Sequence, residues 1–391
     1  MLKIIGNHEP DTIKQAENVL AKGADKFVLC ADGHKGYGHP IGGVAAYKDK
    51  ISISGVGFDI ACGNMAVKLP VKAAGLHNQW QGIGEKICAA ISFGVGRNNN
   101  TPVECSFLDT SANWENPAIK GLKDLAAAQL GTVGSGNHYV DIFKDEEDFV
   151  WIGVHFGSRG LGHKATTHFL KYLGANDSMD SDPCLVDMNS DIGQAYFEAM
   201  NLGGKYAYAG REWVCKTIAN IIQGSDEVLD TVHNHHNFAW IEQHDGDNYF
   251  VVRKGSTPAF PGQRSFIGST MADVSVIVRG LDTPQAKENM YSTVHGAGRI
   301  MSRTKAAGKF KGWGAKKVRV SPGLIDEEQM RRDVSAKGVL LFGGGADESP
   351  ECYKKLDEVL GYHTDSIQVE HRLTPIIVCM AGANEHDPYK D

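Results

Sequence analysis

No apolar run in these 391 residues approaches the ~20 residues of a membrane span. No Cys-x-x-Cys pair occurs either, and the eight cysteines, at positions 30, 62, 88, 105, 184, 215, 352 and 379, are scattered. The first absence argues against a membrane-spanning helix. The second argues against a disulfide scaffold and for reduced thiols in a reducing compartment. The opening Met1-Leu2-Lys3-Ile4-Ile5-Gly6-Asn7-His8 has no long apolar stretch and no small-residue cleavage site, so no secretory signal is read and a cytoplasmic location is expected. A basic excess is also missing. With a net charge of -7, any nucleic acid must be met by a local basic patch and not by the whole surface.

What remains is a soluble globular composition, 42% hydrophobic and 22% charged, long enough to bury a large core. We find no internal repeat, low-complexity tract or linker. Candidate sites run from residue 32 to residue 299, so one domain over 1–391 is expected, with residues 383–391 as an extended tail.

The chain is organised around Gly55-Val56-Gly57-Phe58-Asp59-Ile60-Ala61-Cys62-Gly63-Asn64-Met65. It lies between the alternating residues 50–54 and an apolar segment, which reads as strand, tight loop, strand. Asp59 and Cys62 are thereby turned toward one point. Alone, such a pair is usually a turn carboxylate beside a buried small thiol. The rest of the chain supplies helices at 11–22 (with Asp11 as N-cap), 75–92 and 120–130. The region 190–223 reads as helix interrupted at Gly203-Gly204, and strands are read at 26–31, 149–154 and 274–278. Residues 32–43 read as a glycine-rich loop of the kind that brings amides to a ligand, and residues 155–163 as another. The basic stretch 299–319, with Arg303, Lys305, Lys309, Lys311, Lys316, Lys317 and Arg319, reads as helical. It is either an RNA-facing surface or an ordinary solvated helix.

Each histidine taken singly is a good loop residue and no more. His138, His155, His236 and His295, however, share one context, each within two residues of Asn or Gly after an apolar or helical segment. Three imidazoles with Asp59 and Cys62 exceed the ligand set of one tetrahedral structural zinc. They suit a two-metal site with a bridging thiolate and open positions for phosphate oxygens, in which manganese, zinc, cobalt or iron would all be permitted. His295, followed by Gly296-Ala297-Gly298-Arg299, has slim backbone around it and a cation four residues on, as a phosphate-attacking imidazole requires. Arg159, Arg253, Lys254 and Arg299 are candidate phosphate partners; the alternative for each is an ordinary solvated surface.

With these motifs in place the sequence resembles the RtcB family of RNA ligases. The resemblance rests on Gly36-Tyr37-Gly38-His39-Pro40-Ile41-Gly42, Gly57-Phe58-Asp59-Ile60-Ala61-Cys62-Gly63, Gly134-Ser135-Gly136-Asn137-His138, His155-Phe156-Gly157-Ser158-Arg159, His235-His236-Asn237, Arg253-Lys254-Gly255 and His295-Gly296-Ala297-Gly298-Arg299. It implies a mixed α/β (α+β) domain with β-sheets around a central metal cleft. It implies two Mn2+ ions held by Asp59, Cys62, His138, His155 and His236, with Cys62 between them. His295 would attack the α-phosphorus of GTP, and the GMP would pass to an RNA 3′-phosphate or opened 2′,3′-cyclic phosphate, which a 5′-hydroxyl then displaces. Asn137 would orient a nucleotide phosphate, Asp141 (usually Glu in the family) would contact guanine, and Tyr353 would stack near the base. The implied partners are tRNA halves or other cleaved RNA and an archease-type activator, in RNA repair or tRNA splicing, with the enzyme a monomer. The chain departs from the family pattern at Ala381, where a lysine contacting guanine is usual, and at Ser269-Thr270-Met271-Ala272-Asp273. A metal-dependent phosphoesterase and a non-catalytic RNA-end-binding protein are the alternative readings.

Overall fold

Period-two alternation decides which way the central strands face. In Phe149–His155, the side chains of Val150, Ile152 and Val154 join one core cluster and Trp151 the opposite one. In Gly63–Lys72, Met65, Val67 and Leu69 face the first cluster and Ala66 the second. A sheet buried on both faces results, with branched side chains packing well on its pleated surface. In this computed structural model, which describes residues 1–110, 113–176, 178–312, 318–383 and 385, the sheet has eight strands. Seven of them run in the order Arg264–Ile267, Ser275–Gly280, Ile367–Gly382, Tyr139–Lys144, Phe149–His155, Gly63–Lys72, Asp230–His235, and Leu340–Gly344 pairs with Ile367–Gly382. A second, five-stranded sheet has the order Leu2–Ile4, Lys26–His34, Ile41–Tyr47, Asp247–Lys254, Asn237–His244. The architecture is mixed α/β. Among the described residues no helix is long and apolar enough to cross a membrane.

The order of the larger sheet places the site. Tyr139–Lys144, Phe149–His155, Gly63–Lys72 and Asp230–His235 are antiparallel neighbours. Residues just before one strand and at the end of the next therefore meet at one edge. His138 precedes the first of these strands, His155 ends the second, Cys62 precedes the third and His236 follows the fourth.

Several sequence-based expectations need correction. The helix Asp191–Gln223 is continuous for 33 residues. Gly203 and Gly204 do not break it but let it pack closely, because a Cβ on Gly203 would sit 3.1 Å from Ile60 Cγ2 and one on Gly204 2.9 Å from Phe238 Cε2. The strand expected to stop at Ala31 runs on to His34, so Asp32 lies in a buried strand end and not in a loop. The first helix is Pro10–Ala21, with Pro10 rather than Asp11 at its start, where a missing N–H costs nothing. The loop after His155 is short, since the helix Arg159–Tyr172 begins four residues on. Among the described residues the basic stretch is helical only over Arg303–Ala307; Gly308–Lys311 and Val318–Pro322 pair as an antiparallel ribbon. Lys316 and Lys317 lie outside the described residues, as do residues 384 and 386–391 of the expected tail.

Candidate active site and metal centre

Five predicted ligands converge at the sheet edge. His138 Nε2 lies 3.0 Å from Asp59 Oδ2 and 3.5 Å from Cys62 Sγ. On the other side of the thiol, His155 Nε2 is 3.3 Å from Cys62 Sγ. The donors form two triads, Asp59–Cys62–His138 and Cys62–His155–His236, with ligand atoms within 4.8 Å of one another in each. Cys62 belongs to both.

The residues fit a divalent metal. Burial and the neighbouring His138 and His295 push the His155 imidazole well below its ordinary range, and burial together with His155 and His295 does the same to His236, so both are neutral, the ligating form. His236 Nδ1 is buried and has no hydrogen-bond partner. Burial raises the Cys62 thiol, and Asp59 raises it further, so a cation is what would turn it into a thiolate. Burial works against ionising Asp59, yet His138, Cys62 and Arg159 bring its carboxyl below the usual range. Gly157 is required here, because a Cβ would lie 2.2 Å from Asp59 Oδ1.

Behind the ligands stands Arg211, fully buried on the long helix. Its Nη1 donates to Ala61 O at 3.0 Å and Phe156 O at 2.6 Å, the carbonyls next to Cys62 and His155. Its Nε donates to His233 Nε2 at 2.8 Å and its Nη2 to His235 Nδ1 at 2.9 Å. Tyr208 stacks on His235 at 4.0 Å. Burial lowers the guanidinium only to about 10, so it stays charged and ties both ligand loops to one helix.

His295 follows the short strand Ser292–Val294, which pairs with Ser256–Pro258. Its ring lies 5.0 Å from that of His236. Its Nδ1 is 2.6 Å from Asp32 Oδ2, and the same oxygen accepts the His295 backbone N–H at 2.9 Å. Burial alone would raise the Asp32 carboxyl, but His295 and these hydrogen bonds hold it below its ordinary value. An ionised carboxylate only accepts, so Nδ1 carries the hydrogen of this bond and Nε2 is the nitrogen left to meet a ligand. Gly298, at φ +78°, is needed because a Cβ would lie 2.3 Å from Asp32 O.

Beside His295 opens a cavity of about 210 Å3. Asn137, Asp141, His295, Gly296, Ala297, Gly298, Arg299 and Tyr353 all line it, and His155 joins it to the metal cluster. Asp141 reaches its wall as a buried carboxyl whose Oδ1 has no partner, and burial raises it well above the carboxylate range. Arg299 lies over the Tyr353 ring at 4.9 Å and donates to its hydroxyl at 2.8 Å, while Tyr353 in turn bonds Glu348. Arg303, also on the wall, is 2.6 Å from Glu348. Ala381 lies in a small adjoining recess with Gly136 and Glu348.

Two of the predicted phosphate partners are elsewhere. Arg253 is fully buried and spends its guanidinium on Glu242, at 2.6 and 3.1 Å, and on Ser292 and the Met290 carbonyl. Lys254 donates to Tyr37 O and Ser54 O at 2.8 and 2.9 Å, and burial lowers it to about 7. Conversely, sequence reasoning passed over Asp32, Arg211 and Glu348. Arg211 left a usable signal, a lone cation four residues from Ala207 and Cys215 on an otherwise apolar helix face.

The family model described as tRNA-splicing ligase RtcB matches residues 15–381. The chain is 31% identical to the tRNA-splicing ligase RtcB of Methanococcus maripaludis over 92% of this chain and 89% of that protein. It is 29% identical to the RNA-splicing ligase RtcB of Escherichia coli over 91% and 90%, and 28% identical to the tRNA-splicing ligase RtcB of Thermococcus kodakarensis over 89% and 86%. A family match across nearly the whole chain, with 31% identity to a relative over 92% of it, makes this protein a member of the RtcB family.

Proposed function

We propose that the protein is a GTP- and Mn2+-dependent RNA ligase that joins a 3′-phosphate or 2′,3′-cyclic phosphate end to a 5′-hydroxyl end. The observation that carries this reading is the Asp32–His295 pair at 2.6 Å, placed between the metal-ligand cluster and the cavity. A phosphoesterase that activates water on its metal cluster does not need a nucleophilic imidazole, whereas transfer of a nucleotidyl group through the enzyme does. In the reading, Cys62, His155 and His236 would hold one ion, and Asp59, Cys62 and His138 a second. Such ions neutralise phosphate charge and polarise the phosphoryl oxygens.

His295 Nε2 attacks the α-phosphorus of the nucleotide; the N–P bond forms as the bond to the departing pyrophosphate breaks. Asp32 keeps the Nδ1 proton in place and offsets the positive charge that grows on the ring. Asn137, Arg299 and Arg303 bind phosphate oxygens along the cavity, and Tyr353 and Asp141 border the base. The nucleotidyl group then passes to the RNA 3′-phosphate, which converts a poor electrophile into one with a good leaving group. The 5′-hydroxyl displaces it, and GMP departs.

The test is incubation with Mn2+ and α-labelled GTP or ATP, followed by intact mass and peptide mapping. A GMP adduct on His295 is expected. Asp32→Asn should keep the fold and cut the rate of adduct formation by about 10²–10⁴-fold, since the wrong tautomer would then be accommodated. An AMP adduct alone would replace the cofactor. No adduct in metal-loaded protein would sink the reading.

A further inference from the structure

In this acidic chain no Asp or Glu occurs between Glu288 and Asp326, while Lys and Arg recur from Arg299 to Arg319. The structure turns the middle of that stretch into the ribbon Gly308–Lys311 and Val318–Pro322, which pairs with no other strand among the described residues. Seven of its nine residues are exposed, among them Phe310, Val318 and Val320. A free two-stranded ribbon is marginal in water, and one that displays apolar side chains is commonly a binding element. Lys305, Lys309, Lys311 and Arg319 form no ion pair among the described residues.

We propose that this ribbon binds the RNA strand whose end enters the cavity, gripping phosphates with Lys309, Lys311 and Arg319 and stacking a base against Phe310. The proposal rests on the ligase reading above. Three observations favour RNA over other partners. The register opposes Phe310 to Arg319 and Lys311 to Val318, so each face of the ribbon mixes a cation with an apolar side chain. A membrane-seeking element would segregate them onto opposite faces. Arg319 lies over the Phe310 ring at 5.4 Å, and an aromatic with a cation beside it is the usual platform for a single-stranded base. The ribbon is also continuous with the cavity, because the helix turn Arg303–Ala307 leads directly into Gly308 and Arg303 lines the cavity wall. At roughly 3.4 Å per residue its strands span about 14–17 Å, which reaches a few nucleotides inward from the end.

The experiment uses the full chain and two 3′-phosphorylated RNAs, a trinucleotide and an oligomer of about 12 nucleotides. Lys309→Ala, Lys311→Ala and Arg319→Ala are combined in one variant, and Phe310→Ala is made separately. For the long RNA the triple variant should bind about 30-fold more weakly at low salt, with a log–log salt slope shallower by about 2. Phe310→Ala should bind about tenfold more weakly. Binding of the trinucleotide and formation of the His295 adduct should be unchanged. In the unmodified protein, the long RNA should protect Lys309 and Lys311 from amine acetylation, which tests the proposal even if the variants misfold. Equal binding by variants and parent, or no protection, would overturn the ribbon's role while leaving the ligase reading intact. So would loss of binding to anionic phospholipid vesicles, or competition by polyglutamate as strong as by RNA. A parent protein that forms no adduct would instead defeat the ligase reading.

Discussion

His235 and His236 are adjacent in sequence and belong to different chemistries. His235 is stacked under Tyr208 and accepts a hydrogen bond from Arg211, as His233 does two residues earlier. Its Nδ1 is taken by the guanidinium. His236 turns to the other side, toward Cys62 and His155, where its Nδ1 has no partner. One group of imidazoles holds the scaffold and the other gathers with the thiol and carboxylate donors, and a histidine count cannot separate them. The difference teaches that adjacent histidines are told apart here by their surroundings, Arg211 and Tyr208 for one and Cys62 and His155 for the other.

The largest effect that would break this division is expected at Arg211. Arg211→Met leaves two imidazoles and two carbonyls without their donor, and should cost about 3–5 kcal/mol in urea unfolding of metal-free protein. His236→Ala, by contrast, should cost less than about 1 kcal/mol there. Comparable losses from both would erase the distinction. Next comes Cys62→Ser, which removes the donor common to both triads. It should lower Mn2+ affinity by about 10³-fold in titration calorimetry while leaving the unfolding midpoint of metal-free protein nearly unchanged.

A pH series sharpens the same contrast. Because burial and Asp59 hold Cys62 as a thiol at neutral pH, binding as thiolate must release a proton. Affinity should therefore rise with pH, by about tenfold per unit around neutrality, and the heat of binding should depend on buffer ionisation enthalpy. Pre-neutral His155 and His236 add no further release, because burial and neighbouring histidines have already removed their protons. A buffer dependence that persists unchanged in Cys62→Ser would contradict that assignment. The smallest effect is expected for His235→Gln, about 1 kcal/mol in stability with metal affinity within about threefold. A large metal defect there would move His235 into the binding group.

Much of the site was legible because its chemistry is written in loops. Asp59, Cys62, His138, His155, His236 and His295 each stand within two residues of glycine or asparagine, and the antiparallel order of four strands brings the five ligands to one edge. Arg253 and Lys254 misled because sequence shows charge but not burial, and the partner of Arg253 is eleven residues away on the neighbouring strand. Gly203-Gly204 misled for a related reason. Glycine marks close packing as readily as a break, and only Ile60 and Phe238 decide between them. The basic stretch 299–319 reads as helical in sequence, whereas the strand character of Gly308–Lys311 and Val318–Pro322 depends on their pairing with each other, which no local window contains.

The bonds of Arg211 also set an order of assembly. They join residues 150, 55 and 24 positions apart in the chain, to Ala61, Phe156 and His235. Contacts of such separation form late in folding. On a ribosome, Asp59 and Cys62 emerge long before the helix that will fix their loop, so the nascent chain offers stray cations a single mobile carboxylate and thiol and no chelating pocket. The capacity to hold metal arrives only with the finished fold.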